Sequence, residues 1–262
     1  MRLNKKFVLV LAAVAVLSVA ALPAMAARVE TMNDLMSAKV GVQAGSVSER
    51  IIKILLENSD GEAVSFENVY DIVKALKAHL IDAAVMDKTP ARYFAITERE
   101  SLRLLANEPV SKNLPYAIAF RKGDALREKV NKALAELKAD GTRNRIIAKY
   151  IVGDPDPEEI DFNQNDNYEK LWVGCAAGFP PYEMRNRHGF YGIDIELCAE
   201  IAKKLGMELV IADYRFEDLA EALLDGKIDM ICSAVSVTEG RKEFLDFSEP
   251  YDANQQFIVV LK

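Results

Sequence analysis

Histidine is nearly missing from this chain: two occur in 262 residues, His79 and His188, neither at metal-ligand spacing from another donor. A histidine-rich metal centre is excluded, and no nucleophile-base constellation stands out. Cysteine is scarce and odd in number, so Cys175, Cys198 and Cys232 cannot form a fully paired disulfide framework. Cys175 and Cys232 fall in apolar strand patterns and Cys198 on an amphipathic helix, which reads as buried thiols, with one disulfide left open. Basic excess is absent too: 33 Lys and Arg stand against 40 Asp and Glu, for a net charge of −7, which argues against nucleic acid. Beyond the first 26 residues no apolar run is long enough to span a bilayer.

Those first 26 residues read as a cleavable secretory signal peptide. Arg2, Lys5 and Lys6 make the basic start, Phe7 to Leu22 the apolar stretch, and Ala24-Met25-Ala26 a small-x-small site after Pro23. No cysteine sits at the boundary to carry a lipid. Removing three cations leaves a mature chain of roughly 236 residues with a charge of about −10, long enough for two lobes.

The chain is organised around Asp229 to Tyr251, DMICSAVSVTEGRKEFLDFSEPY. Met230 to Cys232 is a short apolar run of the buried-strand kind, and the residues after it turn small and hydroxylic: Ser233, Ala234, Ser236, Thr238. In an open α/β sheet, ligands bind beyond the carboxyl ends of strands, and small residues there leave backbone and hydroxyls free. Arg241 follows in what should be a first helical turn, and its planar fork suits a carboxylate. The plainer alternative is a helix cap and a solvated arginine, so the arrangement has to carry the claim.

The arrangement repeats. VGCAAG at 173–178 echoes VGVQAG at 40–45, and ALLDGKIDMI at 222–231 aligns without gaps on ALKAHLIDAA at 75–84. The chain therefore holds a diverged repeat of one βαβ unit, and Asp87 falls opposite Ala234. Two such units facing each other make a cleft bounded by strand ends. Leu114 to Arg121 reads as an alternating strand, followed by helices at 125–138 and 143–150. Val152 to Glu169, acidic with Pro155 and Pro157, reads as a linker, and Gln256 to Lys262 as an apolar strand.

A strand followed by small-small-x-Ser-x-Thr-Glu-x-Arg and then Asp-Phe-Ser-x-Pro-Tyr resembles the signature of the periplasmic amino-acid-binding proteins of ABC transporters, the family 3 solute-binding proteins. The resemblance implies an α/β, two-lobed periplasmic-binding-protein-like (type II) fold with its ligand cleft between the lobes. It also implies a circular permutation, because members usually begin with the segment that here is Val173 to Tyr182 and enter the second lobe through KVGVQAGS. On that reading the second lobe is 28–115 plus 256–262, the first is 116–255, and 152–169 joins the ancestral termini. Met32 should then lie near Lys262, and the crossing strands near 117–119 and 253–257 should be the hinges.

The resemblance assigns the ligand carboxylate to Arg241, assisted by Ser236 and by the backbone N–H groups where Ser46 and Val47 open a helix, itself an anion site. It assigns the ammonium to Asp87, with Ser233 and Ala234 contributing oxygens. Capping is the competing role for Asp87 and Ser46. Phe179 and Phe216 match the aromatic rings that flank the ligand side chain, and either could instead be core. Ala176 stands where members that bind cationic side chains carry a carboxylate, which implies an uncharged side chain; Gln43 nearby could bond an amide or hydroxyl. No metal or cofactor is implied. The implied function is a monomeric periplasmic protein that captures a free amino acid and delivers it to the membrane permease of an ABC importer. The rivals are a cyclohexadienyl (prephenate or arogenate) dehydratase on the same fold, for which Glu183 is the acid to test, and a ligand-sensing subunit for a receptor.

Overall fold

The computed structural model describes residues 29–105, 109–152, 160–165 and 167–262. The signal-peptide reading and residues 153–159 and 166 of the 152–169 linker lie outside the described residues. In chain order the first half contains β1 (Lys39–Gln43), α1 (Val47–Leu55), β2 (Glu62–Phe66), α2 (Val69–Lys77), β3 (Ala83–Asp87), α3 (Lys88–Thr97), β4 (Leu102–Leu105), β5 (Leu114–Tyr116) and β6 (Ala119–Arg121). There follow α4 (Leu126–Ala139), α5 (Thr142–Val152), β7 (Lys170–Cys175), β8 (Met184–Asn186), β9 (Gly189–Tyr191), α6 (Ile193–Leu205) and β10 (Glu208–Asp213). The last elements are α7 (Leu219–Leu224), β11 (Met230–Ile231), α8 (Glu239–Lys242), β12 (Leu245–Phe247), β13 (Asp252–Asn254) and β14 (Gln256–Leu261).

The strands build two five-stranded sheets of matching plan, β2-β1-β3-β14-β4 and β10-β7-β11-β6-β12. In each, three parallel strands are followed by two that join antiparallel. The antiparallel newcomers, β14 and β6, are the strands on which the chain arrives from the other lobe. Their approaches, β13 and β5, pair with each other as a two-stranded ribbon between the sheets.

The repeat read in the sequence is visible bond by bond. Asp82 accepts from the N–H of Lys39 at 2.8 Å, and Asp229 accepts from that of Trp172 at 2.8 Å. His79 and Gly226, equivalent in the alignment, both take left-handed backbone, φ 56° and 72°. Gly41 and Gly174 face Ile81 and Ile228 so closely that an added Cβ would come within 2.4 and 2.3 Å of the Ile Cδ1, which explains glycine in both strands. The central parallel strands are accordingly buried, β3 throughout and β1 beyond its first residue.

Register places Lys39 on one side of β3 and Leu261 on the other, both level with Asp82. Two strand spacings, about 10 Å, separate them. The stretch read as one strand over 114–121 is two. β5 pairs with β13 and β6 with β11 and β12, and between them the Ala117 and Ile118 N–H groups go to the Val235 carbonyl and the Ser248 hydroxyl.

Candidate functional site

All ten residues singled out in the sequence line one small cavity between the lobes, about 20 Å³ in volume. That is room for about one water molecule, so the lobes must part before a larger ligand can enter. Gln43, Ser46, Val47 and Asp87 come from the ends of β1 and β3 and the start of α1; the others come from the opposite lobe.

Arg241 sits in α8, whose N-cap is Thr238, accepting from the Arg241 N–H at 3.3 Å. Thus the capping reading of this Ser/Thr-rich strand end holds for Thr238, which frees the other small residues for the cavity wall. The Arg241 guanidinium donates through Nη1 to the Ser236 carbonyl at 2.9 Å and through Nη2 across the cleft to the Gly45 carbonyl at 3.1 Å. Its Cζ lies 5.5 Å from the centre of the Phe216 ring, whose face steers the fork. Among the described residues no carboxylate forms a salt bridge with it. Burial holds its pKa below the ordinary value, an effect that the Asp87 charge only partly offsets. Gly45 also closes the cleft, since a Cβ there would come within 3.0 Å of the Glu217 Cα.

Asp87 ends β3 at the N-cap position of α3, yet its side chain caps nothing. The Lys88 N–H is taken by Asn254 Oδ1 at 2.9 Å and the Gln255 carbonyl at 2.8 Å, both from the other crossing segment. That relieves Asp87 of the competing role and leaves its carboxylate for the cavity. Asp87 Oδ1 accepts from Gln256 Nε2 at 2.6 Å, and the Tyr116 hydroxyl faces it. Desolvation pushes its pKa up to about 6, against the pull of Tyr116, Gln256 and Arg241. No described cation pairs with it.

Ser46 does cap α1, accepting from the Glu49 N–H at 3.1 Å, and lines the cavity as well. Of the N–H groups after β1, that of Gly45 goes to Glu49 Oε2 and that of Ser46 to the Gln43 carbonyl, so the donors left for an anion are those at the first turn of α1, beginning with Val47. Gln43 is 5% exposed and donates to the Glu67 carbonyl at 3.3 Å. Phe179 is buried in its turn, its ring centre 6.1 Å from that of Tyr182. Ser233 takes the N–H of Ala176 at 3.1 Å and gives its own hydrogen to Glu183 Oε1. Glu183, the acid singled out for a dehydratase, therefore stands behind the wall and does not line the cavity.

Sequence reasoning missed Tyr116, Asn254 and Gln256, which hold or free Asp87, and Asp194, which accepts from the Ala234 N–H at 2.7 Å. A polar Gln256 heading the apolar run QFIVVLK was the one available signal. Chemically, the cavity offers an unpaired guanidinium fork and an unpaired carboxylate at opposite walls, with hydroxyls and an aromatic ring at each flank. His79 and His188 are exposed and remote from it. The three thiols are buried and unpaired.

The pattern of a family described as bacterial extracellular solute-binding proteins, family 3, matches residues 35–153 and 171–262. A "Probable histidine-binding protein" of Campylobacter jejuni is 38% identical over 100 residues, 38% of this chain and 39% of that one. The arginine-binding extracellular protein ArtP of Bacillus subtilis is 34% identical over 94 residues, 36% of this chain and 37% of its own length. The chain thus spans less than half the length of these relatives. A solved structure of an ancestral arginine-binding protein bound to glutamine is 41% identical, covering 31% of this chain and 37% of that chain, with a TM-score of 0.31.

Proposed function

The chain belongs to the bacterial extracellular solute-binding proteins, family 3, and from that membership we propose that it captures a free α-amino acid between its lobes outside the cytoplasm and hands it to the membrane permease of an ABC importer. The observation that carries the ligand class is the cavity lined by Arg241 from one lobe and Asp87 from the other, neither in a salt bridge with a described residue. Leaving either charge buried without a partner is costly, and a zwitterion supplies both partners at once. The α-carboxylate takes the Arg241 fork and the first N–H groups of α1; the α-ammonium takes Asp87. Because the charges belong to different lobes, only a bridging ligand gains both pairings, and it shifts the lobes toward the closed form. The β5·β13 ribbon and the crossings beside it are the hinge.

The lobe order is that of a circular permutation. Lys39 and Leu261, level across β3, support this reading, since a connection there would restore the other order and leave both sheets intact. Alignments that follow chain order would then catch one segment of a relative at a time.

Ala176 gives the ligand side chain no counter-charge, which favours an uncharged one. A second reading, a basic side chain, is favoured by an adjoining pocket of about 230 Å³ that shares Gln43 and Phe216 with the cavity and carries Glu67 and Asp213. Its one lining cation, Arg215, is already paired with Glu217 from outside the pocket. Calorimetric titration with L-glutamine and L-arginine separates the two. The function itself is tested by thermal unfolding of protein refolded without ligand, against the common amino acids, prephenate and arogenate. A ligand at about a hundred times its Kd adds about 2.7 kcal/mol. A shift with amino acids that is lost in Arg241→Ala and Asp87→Ala is expected; no shift, or turnover of prephenate or arogenate, overturns the reading.

A further inference from the structure

Behind the wall of the cavity lies a second cluster that ligand capture does not directly use. Glu183 and Asp194 are buried together at 1% and 0% exposure. The titratable groups that face them are Cys198, also on α6, Cys175 on β7, Tyr182 beside Glu183, Cys232 after β11, Tyr251 just before β13 and Asp252 at its start. No lysine, arginine or histidine is among them. Two adjoining carboxyls without a cation cannot both be ionised.

Their hydrogen bonds leave one place for a proton. Glu183 Oε1 accepts from the Ser233 hydroxyl, and Asp194 Oδ2 from the Ala234 N–H. The remaining oxygens, Glu183 Oε2 and Asp194 Oδ1, are buried; the Tyr251 hydroxyl faces Asp194 as a donor, Glu183 Oε2 has no donor among the described residues, and the two carboxyls face each other. A proton on Glu183 Oε2, donated to the Asp194 carboxylate, gives that oxygen its partner. Burial and the Asp194 charge raise Glu183 well above the ordinary carboxyl range, and burial raises Asp194 to about 6.

We propose that Glu183 and Asp194 are positioning residues that share a single proton and so set the polarity of the ammonium end of the cavity. Ser233 has one hydrogen and two lone pairs. With its hydrogen committed to Glu183 and one lone pair to the Ala176 N–H, what it can offer the cavity is the other lone pair, an acceptor for a ligand N–H. Asp194 meanwhile holds Ala234 at φ 44°, left-handed backbone that alanine rarely adopts, and so keeps the turn in the wall. Losing the proton would set two carboxylates against each other beneath that turn. The consequence for binding rests on the amino-acid reading, whereas the proton can be observed without ligand.

Glu183→Gln is the informative variant, because its amide can donate to Asp194 and accept from Ser233 with no proton to lose. The infrared spectrum of the wild type at pH 7.5 should contain a protonated-carboxyl band that Glu183→Gln lacks. On this proposal native Glu183 keeps, across pH 6.5 to 8.5, a proton that the unfolded chain has released. Raised in the fold, this group stabilises less as pH rises, so the folding constant of the wild type relative to Glu183→Gln should fall about tenfold per pH unit. Affinities for L-glutamine, L-arginine and L-histidine should stay within about threefold in Glu183→Gln and weaken at least about tenfold in Glu183→Ala. No such band, a flat folding ratio, wild-type affinity in Glu183→Ala, or equal weakening in both variants overturns the proposal. Should the wild type bind none of these amino acids while band and slope are present, the proton sharing stands and it is the amino-acid reading that fails.

Discussion

Replacing Asp87 by Asn should weaken binding and strengthen the fold at the same time. The carboxylate is 9% exposed and its pKa is raised from 3.8 to about 6, so at pH 7.5 its ionisation opposes folding by roughly 3 kcal/mol, at about 1.4 kcal/mol per unit. Asn keeps an oxygen for Gln256 Nε2, and the start of α3 is untouched, because Asn254 and Gln255 already satisfy the Lys88 N–H. Set against the desolvation of the new amide, the ligand-free protein should gain about 1–2 kcal/mol, a rise in Tm of about 2–8 °C for a chain of this size. With ligand the sign reverses: the ammonium now faces a neutral amide, and loss of a buried partner costs about 3–5 kcal/mol, at least about a hundredfold in Kd. Calorimetric titration and thermal unfolding with and without ligand read both numbers. Binding within tenfold of wild type, or a ligand-free protein less stable than wild type, would refute the reasoning and make Asp87 a structural residue.

Other consequences are as direct. Since the ammonium requires the Asp87 carboxylate, ligand binding releases a proton below pH 6, and affinity should be level above pH 7 and fall about tenfold per unit below 6; titrations across pH 4.5 to 7.5 check this, with Asp87→Asn flat as the control. Arg241→Lys keeps the charge but loses the fork and the contact with Phe216, for a loss of about tenfold, whereas Arg241→Ala should lose at least about a hundredfold; equal losses would mean that the planar fork is not used. Burial raises the Cys175 and Cys232 thiols and encloses Cys198, so a thiol reagent should modify none of the three in the native protein and all of them in denaturant.

Much of this was legible in the sequence because it is local. Strand ends announce themselves when an apolar run turns small and hydroxylic, as at Cys232-Ser233-Ala234, and the repeat then places Asp87 opposite Ala234 without any knowledge of the fold. What escaped is long-range. The partners of Asp87 lie on the crossing strands, Gln256 169 residues away, and no periodicity links them. Asp194 meets Ala234 across 40 residues, from the first turn of α6, where it would otherwise pass as an acidic residue near a helix start. The break between β5 and β6 has the same origin, since Leu114 to Arg121 alternates evenly and only the change of partner strands divides it. Capping divided the other way: Thr238 and Ser46 do cap, while Asp87, at an equally good cap position, does not, because Asn254 arrives there first.

The central claim is that both ends of an α-amino acid are held, by opposite lobes, whatever its side chain. Calorimetry with the tightest-binding amino acid, its α-carboxamide and its des-amino acid tests it directly. Each analogue should lose at least about a hundredfold, the carboxamide for want of a charge at Arg241 and the des-amino acid for want of one at Asp87. An analogue that binds as tightly as the amino acid would contradict the clamp at that end.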